Sequence, residues 1–472
     1  MTYSSHELDA AIRSEFPSFV RKVFHELNPG ADYVDNWHLD ALSHKLDLAR
    51  TGDTKRLIIN VPPRSLKSLF ASVALPAFVL GHDPTARLVC VSYAQSLAAK
   101  MSRECRQVLT SSWYRRIFPE TVIAKDTEDL IETTRGGSRL ATSVGGVATG
   151  FGGGFIILDD PMKPEEGWSA AAREKMIRYY RETLMSRLDS KLHGVIVLVM
   201  QRLHADDLAG HLLRERPGKW VHLNLPAIAP ADRTIELGGG RTYFWKEGEA
   251  LQLTREPHPV LDDLREEQGS LVFQAQWLQD PAPEGGLMVK KGDVIFYDRQ
   301  PSLAMGQIYQ SWDTALSGDS SACYSVCTTW LRIGNQHFLI DVFRERLTFP
   351  ELLRAATDLY QAQRPEAVLI ENKGSGMSLI QQLRADTGMT LIGLTPDKDK
   401  LTRLVTVLPM FEARQVLLPV EKPWLPALLQ ELHGFPGTRY NDQVDSISQY
   451  LHWARAQSYG GFSYDFGYSP AE

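Results

Sequence analysis

Apolar residues in the first 50 positions recur at helical spacing, ending in WHLDALSHKLDLAR, where Leu39, Leu42, Leu46 and Ala49 share one face. The pattern then changes to short apolar runs bounded by turn residues: Leu57–Val61, Leu88–Val91, Phe155–Leu158, Val195–Met200 and Val221–Leu225. Stretches of helical periodicity, such as Ser96–Leu109 and Ser169–Leu188, separate several of them. Strands alternating with helices predict a parallel sheet with helices on its faces. Between about 230 and 300 the pattern weakens into a Pro- and Gly-rich stretch that includes Gly238–Gly240 and DPAPEGG, although Phe273 and Trp277 call for burial. A second α/β pattern starts at Gly306 and runs to about Arg455. The expected organisation is one α/β domain over 1–235 with a helical lead-in, a connection over 236–300, and a second α/β domain over 301–458. A Gly- and Tyr-rich tail over 459–472 is expected to be mobile.

A chain of 472 residues is too long for one hydrophobic core. No apolar run approaches the ~18 residues a membrane helix needs, and the charged N-terminal stretch does not read as a signal peptide. Cys90, Cys105, Cys323 and Cys327 are too few and too scattered for a disulfide framework, and the last two lack partners for a zinc site. The chain reads as cytosolic. A net charge of −6 gives no global attraction to nucleic acid, so any DNA contact needs local basic surface. Lys290, Lys291, Lys398, Lys400 and Arg403 are candidates for it.

The strongest local signal in the first half is RLIINVPPRSLKSLFASVAL, an apolar strand, a short loop, Lys67-Ser68 and a helix. That is the context of a phosphate-binding loop, in which backbone N–H groups and a helix N-terminus face phosphates. Arg64, Ser65 and Leu66 would line the loop, Lys67 would reach the β/γ-phosphates of ATP and Ser68 would ligate Mg²⁺. Val61 and Leu66 stand where the usual glycines would be, and taken alone Lys-Ser reads better as a solvated helix start. The surroundings reverse this. GGGFIILDDP is a glycine-bounded strand with two acids at its tip, Asp159 suited to hold Mg²⁺ through water and Asp160 to orient the attacking water. Motif strand, extra strand, acidic strand and then GVIVLVMQR ending in Gln201-Arg202 is the order of motor-type P-loop ATPases.

In the second half, one apolar strand ends at Asp313 and another, AVLIEN, at Glu371, while NDQVDSISQYLHWA reads as a helix with Asp442 and Asp445 one turn apart. Carboxylates so distributed can converge on paired Mg²⁺ or Mn²⁺ for phosphodiester cleavage, which needs cations ~3.5–4 Å apart. The helix pattern points the other way: Val444, Ile447 and Leu451 form a stripe roughly opposite the two acids, which puts those acids on a solvated face. On residues alone both readings stand.

These motifs resemble the large-subunit family of tailed-phage terminases, whose loop reads PPR followed by Lys-Ser or Lys-Thr, here Pro62 to Ser68. Leu66 replaces a common glycine, and Phe151 a common arginine in TGFGGGFIILDDPMKPEE. VMQRLHADDLAGHLL looks like the coupling segment and QAQWLQDPAPEGG like the stretch before a nuclease domain. The resemblance spans roughly 35–455 and implies an N-terminal P-loop ATPase domain plus a C-terminal RNase H-like nuclease domain. It implies that Asp313, Glu371 and Asp445 are the nuclease acids, with Asp442 at the rim and Asp319 as a further acidic position. It also implies an arginine finger, for which Arg139 and Arg64 are candidates, and an adenine site near Trp37 and His38, where helix packing is an equal role for the tryptophan. Double-stranded DNA as substrate, a portal protein, a small terminase subunit, a homo-oligomer on the portal and a site of action in the host cytoplasm follow from the same resemblance. The rival readings are a transposase-type nuclease and a DNA-binding scaffold with a decayed ATP site.

Overall fold

A computed structural model of the chain describes residues 5–146, 150–282, 288–315, 324–386, 388–396, 398–438 and 440–458. Asp319, Cys323 and the 459–472 tail lie outside the described residues. The chain divides into two units, residues 1–265 with 270–284, and residues 266–269 with 285–472.

In the first unit, strands β1 (Arg56–Asn60), β2 (Arg87–Ser92), β3 (Ile123–Asp126), β4 (Leu130–Thr133), β5 (Ser138–Ser143), β6 (Phe155–Asp159), β7 (Val195–Met200) and β8 (Val221–Asn224) form one sheet. Its order is β3-β4-β5-β2-β6-β7-β1-β8. Pairings from β5 across to β8 are parallel, while β3, β4 and β5 pair antiparallel. The five apolar runs are therefore strands of a parallel sheet, extended by a meander whose outer strand is largely exposed. Alternation along β1 explains the layers: Leu57 and Ile59 face a core with Phe70 and Phe78, and Ile58 faces another with Tyr180 and Leu184. Burying one such side chain contributes about 1.5–3 kcal/mol. The stretch 169–188 is a composite, α-helical over Ala170–Arg178 and π-helical over Tyr179–Leu184. Beyond the sheet, β9 (Arg233–Gly238) and β10 (Arg241–Trp245) form a hairpin whose Trp245 is fully buried. Phe273 and Trp277 are buried with Ala227, Ala250 and Leu261.

In the second unit, β11 (Ile295–Tyr297), β12 (Gln307–Asp313), β13 (Ser325–Ile333), β14 (Gln336–Glu345), β15 (Ala367–Glu371), β16 (Leu391–Leu394) and β17 (Val416–Pro419) take the order β11-β17-β14-β13-β12-β15-β16. β13 runs antiparallel to both neighbours and every other pairing is parallel. One face buries Trp312, Cys327, Val368 and Ile370 with Leu352 and Leu379, from the helices Phe349–Gln363 and Ser375–Asp386. Against β12 and β13 lies the helix Asp442–Ser458, with Tyr450 stacked on Trp330 at 4.7 Å. Residues 442–451 are all buried, so this half of the helix has no solvated face. Its polar side chains are bonded inward: Ser446 donates to the Ser311 carbonyl and Gln449 to the Ser311 hydroxyl. The solvated face expected from the apolar stripe is thus replaced by two packed faces. Among the described residues no helix is long and apolar enough to cross a membrane.

Candidate functional site

The loop after β1 turns sharply, with φ +61° at Arg64 and +57° at Leu66, before a helix begins at Lys67. Both values are left-handed, a conformation that glycine adopts freely and other residues at a cost. Leu66 therefore takes the conformation that a glycine at its position would have. Lys67, buried, reaches across to the tip of β6 and pairs with Asp160 at 3.1 Å. Ser68 donates to Asp159 Oδ1 at 3.0 Å and Ser72, one turn further on, to Oδ2 at 2.7 Å. Burial and the neighbouring Asp160 charge push Asp159 up to about 6, opposed by Ser72, Lys67 and Ser68. A buried carboxylate beside a hydroxyl, with a lysine close by, has the donor chemistry that a nucleotide-bound Mg²⁺ takes. Ser65 is buried and accepts from Gln252, while Arg64 is exposed.

The helix that carries these serines widens over Leu69–Ala74 into a π-turn, where the Leu75 N–H bonds the Phe70 carbonyl. Arg139 lies within β5 and donates to the Ser72 carbonyl there at 2.9 Å. Its side chain is 0% exposed, so it cannot reach a neighbouring subunit as an arginine finger; it supports the turn that presents Ser72. Trp37 is stacked on Tyr243 at 4.6 Å and packed on Trp245, so that face is taken by the protein rather than offered to a base. Burial pushes its neighbour His38 down to about 3.

β7 lies between β1 and β6, and its end is tied to the acidic tip. The Gln201 N–H donates to Asp160 Oδ1 at 3.2 Å, and the Arg202 N–H to Gln279 at 2.8 Å. The Arg202 side chain pairs with buried Asp207, which caps the helix Leu208–Glu215 by accepting from Gly210. Ser72 and Gln279 were missed from the sequence: a serine in an apolar run and a glutamine 77 residues from its partner carry no local signal.

In the second unit, Asp313 and Glu371 end the neighbouring parallel strands β12 and β15, and Asp445 and Asp442 open the helix packed against β12. Asp445 is 2% exposed and Asp442 4%, so Asp442 is no rim residue; its Oδ2 accepts the Tyr324 N–H at 3.2 Å. Burial, then the Asp445 charge, push Asp313 up to about 8 against the pull of Lys400. Burial likewise pushes Asp445 up to about 6 against Lys400 and Arg403. Arg403 bridges the acids, 3.0 Å from Glu371 and 3.3 Å from Asp445, and Lys400 pairs with Asp445. These two cations, expected on a DNA-facing surface, are instead engaged by the acids. Lys290 and Lys291 are exposed and Lys398 is half-buried. Among the described residues, no three His, Cys, Asp or Glu stand close enough to hold a cation as they are. The oxygen donor set and its upward-shifted carboxyls nevertheless fit hard divalent ions, whose charge would relieve the same repulsion that Lys400 and Arg403 relieve here.

Residues 310–453 match the family described as terminase RNaseH-like domain. No curated protein matches the chain. Among solved structures, the large terminase of a thermophilic bacteriophage is similar with a TM-score of 0.55 at 10% identity, over 89% of this chain and 99% of that one. The same terminase in complex with ADP, and in complex with ATP-gamma-S, gives a TM-score of 0.51 at 10% identity in each case, over 86% of this chain and 98% of that one. At that identity the likeness speaks to the fold. Residues 310–453 are thus similar to the terminase RNaseH-like domain, and the chain as a whole shares the fold of a phage large terminase.

Proposed function

We propose that the first unit hydrolyses ATP to drive double-stranded viral DNA into a procapsid and that the second cuts that DNA with Mg²⁺ or Mn²⁺. The observation that carries the reading is the meeting of Lys67, Ser68, Asp159 and Asp160 at the tips of β1 and β6. The left-handed Leu66 supports it over a decayed scaffold, because the loop keeps its turn without the glycine. Bound ATP and Mg²⁺ would supply the transferable phosphoryl group and its neutralising charge. With them bound, Lys67 would contact phosphate oxygens in place of Asp160, Ser68 and Asp159 would hold the cation, and Asp160 would be free to orient water and accept its proton. Because the Gln201 N–H rests on Asp160, a move of that carboxylate bears directly on the end of β7.

Divalent ions would supply an activated water and stabilise the leaving oxygen in the second unit. Asp313, Glu371, Asp445 and Asp442 would hold them in place of Lys400 and Arg403, and the nuclease is expected not to depend on the ATP site. A portal protein, a small terminase subunit, a homo-oligomer on the portal and the host cytoplasm complete the proposal. Two variants test it together. Lys67→Ala is expected to abolish ATP hydrolysis and keep Mn²⁺-dependent plasmid cutting, while Asp445→Ala does the reverse. ATP hydrolysis that survives Lys67→Ala, or cutting that survives Asp445→Ala, overturns the corresponding half.

A further inference from the structure

The end of the second sheet that carries Asp313 also carries a cluster of arginine and tyrosine. Asp313 pairs with Val326 of β13, and Ser325 pairs with Glu345 of β14, so Tyr324, Arg344 and Arg346 gather at the same end. The Arg344 guanidinium lies 4.1 Å from the Tyr324 ring centre and that of Arg346 4.6 Å from it. Tyr440 completes the group, edge-on to Tyr324 at 5.3 Å, 5.7 Å from Arg344, and accepting from Arg346 at 3.2 Å. Arg344 also stands 3.6 Å from buried Glu431, while Arg346 is exposed. The cluster adjoins the acids directly, since the Tyr324 N–H is the donor to Asp442.

Two features call for an anion there. Arg344 and Arg346 share one ring and Arg344 already faces Glu431, so exposed Arg346 is the charge placed to meet a polyanion. A phosphodiester approaching four carboxylates is also repelled, and flanking cations offset this. Planar guanidiniums fixed by stacking lose little freedom on taking up phosphate oxygens in pairs. We propose that Arg344 and Arg346, stacked on Tyr324 with Arg346 bonded to Tyr440, hold the backbone phosphates of the DNA strand beside the one cut at the acid cluster. This rests on the nuclease reading above.

Arg346→Gln is the decisive variant, because an exposed side chain can change without loss of the fold. Tyr440→Phe removes the hydroxyl that holds Arg346. With the full chain, linear duplex DNA and Mn²⁺, Arg346→Gln is expected to raise KM about fivefold with kcat within about twofold. The slope of log KM against log salt should fall by about 0.9, the signature of one lost phosphate contact. Arg346→Lys, which keeps the charge, should retain the wild-type slope, and Tyr440→Phe should raise KM by less than Arg346→Gln. If the wild type cuts while Arg346→Gln leaves KM and slope unchanged, or lowers only kcat, the cluster is not a phosphate contact. If the wild type does not cut at all, the nuclease reading fails and takes this proposal with it.

Discussion

Leu66 provides a direct test of the phosphate loop, because glycine and alanine at this position should invert their usual order of stability. Its φ of +57° costs an L-residue about 1–2 kcal/mol, and alanine keeps that cost whereas glycine removes it. Glycine loses about 0.5–1 kcal/mol more backbone entropy than alanine on folding. The difference leaves Leu66→Gly more stable than Leu66→Ala by about 0.5–1 kcal/mol. Both variants lose the part of the leucine that packs on the first core, about 1 kcal/mol for a half-buried side chain. The expected order is therefore wild type, glycine, alanine, with alanine and glycine separated by roughly 2 °C in Tm. Calorimetry of the three proteins side by side reads this order. Since the strain at the loop is what glycine relieves, Leu66→Gly should also hydrolyse ATP at least as fast as the wild type. A glycine variant less stable than the alanine variant would refute the strained-loop argument.

Two further outcomes follow from the carboxylate cluster. The Asp313 carboxyl, raised to about 8 in the folded protein from an unfolded value of about 4, favours folding below the unfolded value, and that contribution is lost as pH rises through the folded one. Metal-free protein should accordingly weaken between about pH 4 and 8 in urea titrations, and Asp313→Asn should flatten that profile; an unchanged profile in the variant would remove Asp313 as its source. Arg403→Gln removes the guanidinium that bridges Glu371 and Asp445, and should tighten Mn²⁺ binding on the order of tenfold by calorimetric titration. Weaker Mn²⁺ binding would mean that Arg403 supports the metal instead of standing in for it.

Runs of apolar residues made β1, β2, β6 and β7 legible in the sequence, since a strand buried on both faces announces itself in four or five positions, whereas β8, at the sheet edge, buries only Leu223. The β3–β4 hairpin, with KDTEDLIETT, has no such run and could not be seen. Lys67 was legible only through the order of elements around it, because a lysine-serine pair has no meaning apart from the strand that delivers it. Arg139 was a candidate arginine finger, but it is buried and bonded to a carbonyl 67 residues away in a widened helix turn, a partner no local pattern reveals. Asp442 and Asp445 looked solvated because one stripe of their helix is apolar, and a sequence pattern does not reveal a second packed layer whose contacts are polar. Ser446, Gln449, Ser311 and Thr328 form that layer, bonded to one another.

That second layer bears on how cutting can be controlled. The half of this helix over 442–451 is packed on every side, and its amide protons are expected to exchange with solvent only when the surrounding unit opens. Asp442 and Asp445 are therefore held by packing more firmly than the charges that face them. Lys400 and Arg403 stand instead on a helix of their own, Lys400–Glu412, and reach the acids through long side chains. On the proposed nuclease reading, control would rest on which charges are admitted to the acid cluster more than on a change in the helix that carries Asp442 and Asp445.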